Sequence, residues 1–310
     1  MKIAIDIAII IVTIFLIAKG ADWLVDSSVR IARKFNISEL VIGLTVIAIG
    51  TSAPEFAVTI TAAVRNMGDI SVGNIVGSNI FNLGLILGGT AIFRSLKTNK
   101  KLVYRDGAFL LGGTIALTLF LWDSKLSFTE GAILFITLLV YLGFLYWKKD
   151  PVNSEEAESA EPFKKYDPLL LVFSMALIVV SSHFLVESAS GLAAIFGISN
   201  WVIGATIVAA GTSAPEFATA LVAAYKGHHG MSVGNLIGSD IFNMFGVLGL
   251  ASIIRELPVD TEARTNMLLL VGMVLLVIVF MRTNWKIGRL EGIMLVLLGL
   301  SRWVFSFNPM

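Results

Sequence analysis

The chain has 310 residues, 56% of them hydrophobic and 15% charged, with a net charge of +1 and a mean hydropathy of +0.85. A soluble domain is about half apolar and a quarter charged, so the composition points to a membrane protein; near-neutrality gives no electrostatic case for nucleic acid or an acidic partner. There is no cysteine, which excludes disulfides, thiolate metal sites and thiol catalysis.

The apolar residues gather into runs near the length that crosses about 30 Å of hydrocarbon. Ten spans are predicted, at roughly 3–24, 38–64, 70–93, 107–122, 129–147, 168–186, 199–225, 232–254, 265–281 and 290–306. The first run, Ile3–Ile17, leads into Lys19, Asp22 and Asp26 without a small-residue cleavage site, and it reads as a retained span. Between the fifth and sixth spans, residues 148–167 contain Pro151, Pro162 and the acidic Glu155, Glu156, Glu158 and Glu161. This is a polar linker. It separates a first five-span unit, 1–147, from a second, 168–310.

The two units are related. GTSAPEFA occupies residues 50–57 and again 211–218, a shift of 161 positions. The same shift carries SVGNIVGSNIFN (71–82) onto SVGNLIGSDIFN (232–243), Val41-Ile42-Gly43 onto Val202-Ile203-Gly204, and Glu130-Gly131 onto Glu291-Gly292. Five spans per unit turn the second copy upside down in the membrane, so the expected fold is all-α, with ten transmembrane helices in two inverted five-helix repeats. Loops after odd-numbered spans carry 16 Lys and Arg against 6 on the other side. That imbalance predicts a cytoplasmic linker and both termini outside the cell.

In the second span, Ser38–Ile49 amounts to about 18 Å of helix, which brings Gly-Thr-Ser-Ala-Pro-Glu near the bilayer midplane. Pro54 removes a backbone donor and breaks the helix, and freed carbonyls at that depth are tolerated only where they line a cavity or bind something. A carboxylate there costs about 2.5–3.5 kcal/mol or more, yet the repeat places one twice, as Glu55 and Glu216. Thr51 and Glu55 share a helical face, as do Ser78 and Asn82 in the third span. Gly73, Gly77 and Gly84 offer small surfaces for close helix packing. The seventh and eighth spans repeat the pattern with Thr212, Ser213, Glu216, Ser239 and Asn243. Four helices then supply hydroxyls, amides, carbonyls and two carboxylates, without nitrogen or sulfur. Such a donor set suits calcium or sodium rather than a transition metal.

These paired segments resemble the two alpha-repeats of the calcium/cation antiporter superfamily, in its sodium/calcium exchanger branch of prokaryotic type. The resemblance implies a secondary antiporter exchanging sodium for calcium by alternating access, not an enzyme. It implies that Glu55 and Glu216 ligate both ions. Thr51 and Thr212 would offer backbone carbonyls to calcium, and Ala48 and Ala209 carbonyls to sodium. Ser52, Ser78, Ser213 and Ser239 would line the sodium positions, and Asn82 with Asn243 the middle one. The first and sixth spans would slide as a gate. Two departures from the family pattern stand out. Several relatives, including potassium-dependent ones, carry aspartate where this chain has Asn243, which weakens a potassium-coupled reading. Asp240 stands where the first repeat has Asn79, and its i, i+3 relation to Asn243 leaves open whether it joins the metal site.

Blander readings stand beside these. The glutamates could form a buried ion pair, Ser52 and Ser213 could satisfy backbone at the kinks, and His228-His229 could be simple polar loop. Asp6, Lys19, Asp22 and His183 fall near span ends, where snorkelling or local pairing is expected. A cation/proton antiporter is the alternative within transporters, with a cation channel behind it. An intramembrane hydrolase lacks its nucleophile–base pair or metal cluster. No cofactor is expected beyond the transported Ca2+ and Na+. The expected partners are the lipid bilayer and these ions, with no obligate protein partner, and the expected location is the cell membrane.

Overall fold

The computed structural model describes residues 2–148, 161–198, 203–260 and 262–307. Most of the predicted linker, 149–160, lies outside the described residues, as do Trp201 and Val202. The described residues form helices and four two-residue strands, joined by short turns.

Helix α1 (Lys2–Phe35) ends in Arg33 and Lys34, and Asn36 in a left-handed conformation turns the chain. Ser38 then caps α2 (Glu39–Thr51) by accepting the N–H of Val41. After a bend of 51° the span continues as α3 (Ala53–Val64), with Pro54 in its first turn, where a missing N–H costs least. Next come α4 (Gly68–Phe93), α5 (Leu102–Asp123) and α6 (Phe128–Lys148). The second unit follows with α7 (Asp167–Ile195), α8 (Thr206–Thr212), a 55° bend, and α9 (Ala214–Lys226). Last are α10 (His229–Ile254), α11 (Glu262–Arg282) and α12 (Arg289–Phe307).

Among the described residues, seven helices are long and apolar enough to cross a membrane, and the two bent pairs bring the number to nine. The tenth predicted span is the helix α12, which falls outside that set and carries Arg289, Glu291 and Arg302.

Many local features recur at the 161-residue shift. The left-handed residues Asn36 and Asn66 have Gly197 and Gly227 as counterparts, each just past a helix end. Widened helical turns at Gly43–Ile47 and Asn82–Leu87 recur at Gly204–Val208 and Phe242–Leu248. The strands also obey the shift, but they pair across the halves. Leu96 of β1 (Leu96–Lys97) pairs with Ile287 of β4 (Lys286–Ile287), and Leu126 of β2 (Lys125–Leu126) pairs with Leu257 of β3 (Leu257–Pro258). Each clip therefore takes one strand from each unit.

The most buried helices are α4 and α10, while α1, α6 and α7 lie at the periphery. Close approach depends on glycine. A Cβ on Gly234 would come 2.8 Å from the carbonyl oxygen of Leu40, and one on Gly238 would come 2.6 Å from the Cα of Leu44, so α2 lies directly against α10. Gly84 similarly meets Gly299, and Gly88 meets Gly292. Two separate apolar clusters result. The larger fills the space around α4, α5, α10 and α11. The smaller joins α1 to α7 through Ile17, Ala21, Leu24, Leu171 and Ile178. At one end of that pair, buried Arg30 donates to Oδ1 of buried Asp167 at 2.7 Å and 2.9 Å. Single replacements of a buried, charge-paired residue of this kind cost about 3–5 kcal/mol, because the partner is left uncompensated.

Candidate cation site

The two helix breaks face each other at the centre of the molecule. Ser52 and Ser213 sit at the bends with backbone angles that belong to no continuing helix. Pro54 and Pro215 follow two residues on. Pro54 has no N–H to give the carbonyl of Gly50, so the interruption is built into the covalent structure. One turn inside each second segment stand Glu55 and Glu216, at 1% and 0% exposure.

The halves hold each other's acid. Ser213 donates to Oε1 of Glu55 at 3.0 Å, and Ser52 donates to Oε1 of Glu216 at 2.9 Å. Ser239 adds a longer bond of 3.4 Å to the same oxygen of Glu216. Its counterpart Ser78 is buried on α4 beside Glu55. On the central helices, Asn82 donates to Oδ1 of Asp240 at 3.0 Å, and Asn243 donates to Oδ1 of Asn79 at 3.1 Å. Asp240 turns inward with these amides. Asp240 is fully buried and belongs to the same network, in the place that Asn79 occupies in the first unit.

Thr51 is buried and its hydroxyl reaches Asn235 Oδ1 at 3.2 Å, whereas Thr212 is half-buried and bonds to the Ala209 carbonyl at 3.1 Å. The carbonyl of Ala48 already accepts the Ser52 N–H at 3.1 Å and the Thr51 hydroxyl at 3.3 Å. Coordination of an ion there would displace the hydroxyl.

Asn74 and Asn235 are functional-looking residues that the sequence reasoning passed over. They donate to the main-chain carbonyls of Glu55 and Glu216 at 3.4 Å and 3.5 Å and so fix the turn that carries each acid. The signal was present, since Asn74, Ser78 and Asn82 recur every four residues, as do Asn235, Ser239 and Asn243.

What the arrangement can do follows from the oxygens left over. Glu55 Oε2, Glu216 Oε2, Asp240 Oδ2, Asn82 Oδ1 and Asn243 Oδ1 are buried and receive no hydrogen bond. All five are acceptors, and buried acceptors without donors cost free energy unless a proton or cation satisfies them. Among the described residues no three His, Cys, Asp or Glu side chains form a metal group by themselves. A cation here would therefore depend on amides, hydroxyls and carbonyls as much as on the acids. That composition fits hard, oxygen-seeking ions.

The symmetry fails in one respect. While α2 lies tight against Gly234 and Gly238, Gly73 on α4, the counterpart of Gly234, has no heavy atom within 4 Å of an added Cβ. Ala48 is fully buried but Ala209 is only half-buried. The first broken helix is closed onto the central helices; of the second, Ala209–Thr212 also reaches α4, while 199–202, the counterpart of Ser38–Val41, lies outside the described residues.

Of the peripheral polar residues, Lys19 pairs with Asp22 at 3.0 Å, as expected near a span end. Asp6 departs from that expectation, being buried with Oδ2 unpartnered. His228 contacts Glu39 at 2.7 Å instead of forming a metal pair with His229.

Comparison with known proteins agrees with this architecture. The family model described as sodium/calcium exchanger protein matches residues 5–147 and 166–306. The sodium/calcium exchanger MaX1 of Methanosarcina acetivorans is 31% identical, over 98% of this chain and 99% of its own. The inner membrane protein YrbG of Escherichia coli is 33% identical, over 93% and 92%. A solved structure of the sodium-calcium exchanger NCX_Mj superposes with a TM-score of 0.86 at 33% identity, covering 99% of this chain and 100% of that one.

Proposed function

This chain belongs to the sodium/calcium exchanger family, and on that footing we propose that it exchanges Na+ for Ca2+ across the cell membrane by alternating access. The observation that carries the proposal is the set of five buried acceptor oxygens around two helix breaks. Glu55 and Glu216 supply the two charges that neutralise one divalent ion or are shared among sodium ions. Thr51 and Thr212 add carbonyls for calcium, and Ala48 and Ala209 add carbonyls for sodium. Ser52, Ser78, Ser213 and Ser239 line the sodium positions, with Asn82 and Asn243 between them. Asp240 gives this site a third carboxylate.

The unequal seating of α2 and α8 supports alternating access. Among the described residues one broken helix packs more closely on the centre than its counterpart, and exchanging those roles would turn the site to the other side of the membrane. The units 1–147 and 168–310 are the two inverted repeats in this reading, joined by the linker 148–167. The excess of Lys and Arg beside the linker assigns it to the cytoplasm and the termini to the outside. The α1–α7 pair, which packs through an apolar cluster that also takes in Ile42, Ile47, Ala223 and Met231, is the moving body.

The experiment is ion flux in proteoliposomes holding the purified protein, with sodium, potassium and proton gradients imposed one at a time. External sodium should release loaded calcium, with magnesium a poor competitor because it demands tight octahedral geometry and dehydrates reluctantly. Calcium release that follows the proton gradient and ignores sodium would assign the protein to cation/proton exchange.

A further inference from the structure

A cavity of about 1000 Å³ lies away from the ion site, between α1, the end of α4, α9 and the start of α12. Lys19, Arg94, Lys226 and Arg289 line it, against one acid, Asp22. We propose that this cavity holds an anionic phospholipid, its phosphate between Arg94 and Arg289 and an acyl chain along the apolar wall.

The charges are not equivalent. Lys19 and Lys226 are largely committed to neighbouring acids, at 3.0 Å and 2.5 Å from Asp22 and, for Lys226, 2.6 Å from Asp26. Arg94 spends one N–H on the carbonyl of Tyr225 at 2.9 Å, which fixes the guanidinium, and its other donors meet no partner among the described residues. Arg289 is exposed and makes no ion pair among the described residues. Two arginines at the rim of one cavity are suited to a phosphate, since the planar guanidinium presents paired donors to its oxygens.

The apolar wall selects a lipid over a soluble anion. Phe15 of α1, Phe93 of α4, and Leu221 and Val222 of α9 line the same space. Phe15 and Phe93 are at 65% and 71% exposure on helices apolar enough to span a membrane. Basic pockets between membrane helices at the headgroup level are suited to acidic lipids. A lipid held here would touch α1 and the helices it moves against, whichever ion is carried.

The test is native mass spectrometry of the full-length protein with added phosphatidylglycerol or phosphatidylcholine of identical chains. Each basic side chain near an acidic headgroup contributes about a fivefold factor, so the Arg94→Ala/Arg289→Ala double variant should lose phosphatidylglycerol binding by roughly twenty-five-fold. Lys97→Ala/Lys100→Ala, which removes exposed charge outside the cavity, should leave binding unchanged. Equal retention of the two lipids, an equal loss in the control variant, or full displacement by glycerol phosphate would each overturn the proposal. Because Arg94→Ala/Arg289→Ala contacts no residue of the ion site, an unaltered melting temperature in phosphatidylcholine nanodiscs separates lost lipid from lost fold.

Discussion

Ser213 donates its hydroxyl to Glu55, which belongs to the other half of the chain, and Ser52 returns the same bond to Glu216. Neither acid is held by its own unit alone. Each hydroxyl supports one carboxylate oxygen and leaves the second available. The Ser52→Ala/Ser213→Ala variant removes a neutral donor from each charged acceptor, worth about 1.5–3 kcal/mol apiece. We predict that the sodium needed for half-maximal calcium release rises by about tenfold or more, with calcium affinity changed less. Equal losses for both ions would mean that the serines only position the acids.

Glu55→Gln and Glu216→Gln should each abolish sodium-driven calcium uptake while the protein still purifies as a folded monodisperse species. Removing one charge some 4 Å from a bound sodium ion costs about 4 kcal/mol at an effective dielectric of 20, roughly a thousandfold in affinity, and from divalent calcium about twice that free energy. Calcium binding by calorimetry and uptake in vesicles read the two effects separately. Near-normal uptake by either variant would sink the two-glutamate site.

Asp240→Asn places in the second unit the residue that the first unit carries at Asn79. The amide oxygen can still accept from Asn82, so the fold should persist while one charge is lost. Calcium affinity should fall by at least about tenfold, short of the loss at Glu55 or Glu216, because Oδ1 of Asp240 is already engaged by Asn82 and only Oδ2 is left for the ion. An unchanged affinity would remove Asp240 from the ion's surroundings.

Gly73 tests the alternation directly. In this structure its Cβ position is open, so Gly73→Val should insert and fold normally. If α8 closes onto α4 in the opposite state, as α2 does on Gly234 and Gly238, the added side chain costs about 1–3 kcal/mol in that state alone. Transport should fall by roughly tenfold or more while equilibrium calcium binding is retained. Full turnover in Gly73→Val would argue against a symmetric exchange of roles.

The chain without cysteine permits a clean orientation test. Asn308→Cys should react with an impermeant thiol reagent on intact cells, and Ser154→Cys should not. The reverse pattern would invert the assignment made from Lys and Arg.

Much of this was legible in the sequence because it rests on signals that survive without contacts. Proline breaks a helix wherever it stands, hydropathy marks spans, and a repeated GTSAPEFA declares a duplication. The choice between two faces of one helix is different, and Asp240 is the example. Its three-residue offset from Asn243 allows either direction, and only the packing of α10 against α4 decides. The strand clips were invisible for another reason, since two residues carry no periodicity. Nor can identical motifs announce that Gly234 is covered while Gly73 is open. Asn74 and Asn235 were legible but unread.

The crossed clips bear on how such a chain is made. Leu96 waits for Ile287, and Leu126 waits for Leu257, so each pairing joins positions more than a hundred residues apart. When the first unit leaves the ribosome, both of its strands are without mates, and the loops that carry them have nothing to fasten them until the last helices are inserted. Synthesis thus ends with two latches closing at opposite ends of the chain's own duplicate. Two half-length polypeptides threaded in opposite directions would offer each other the same pair of latches.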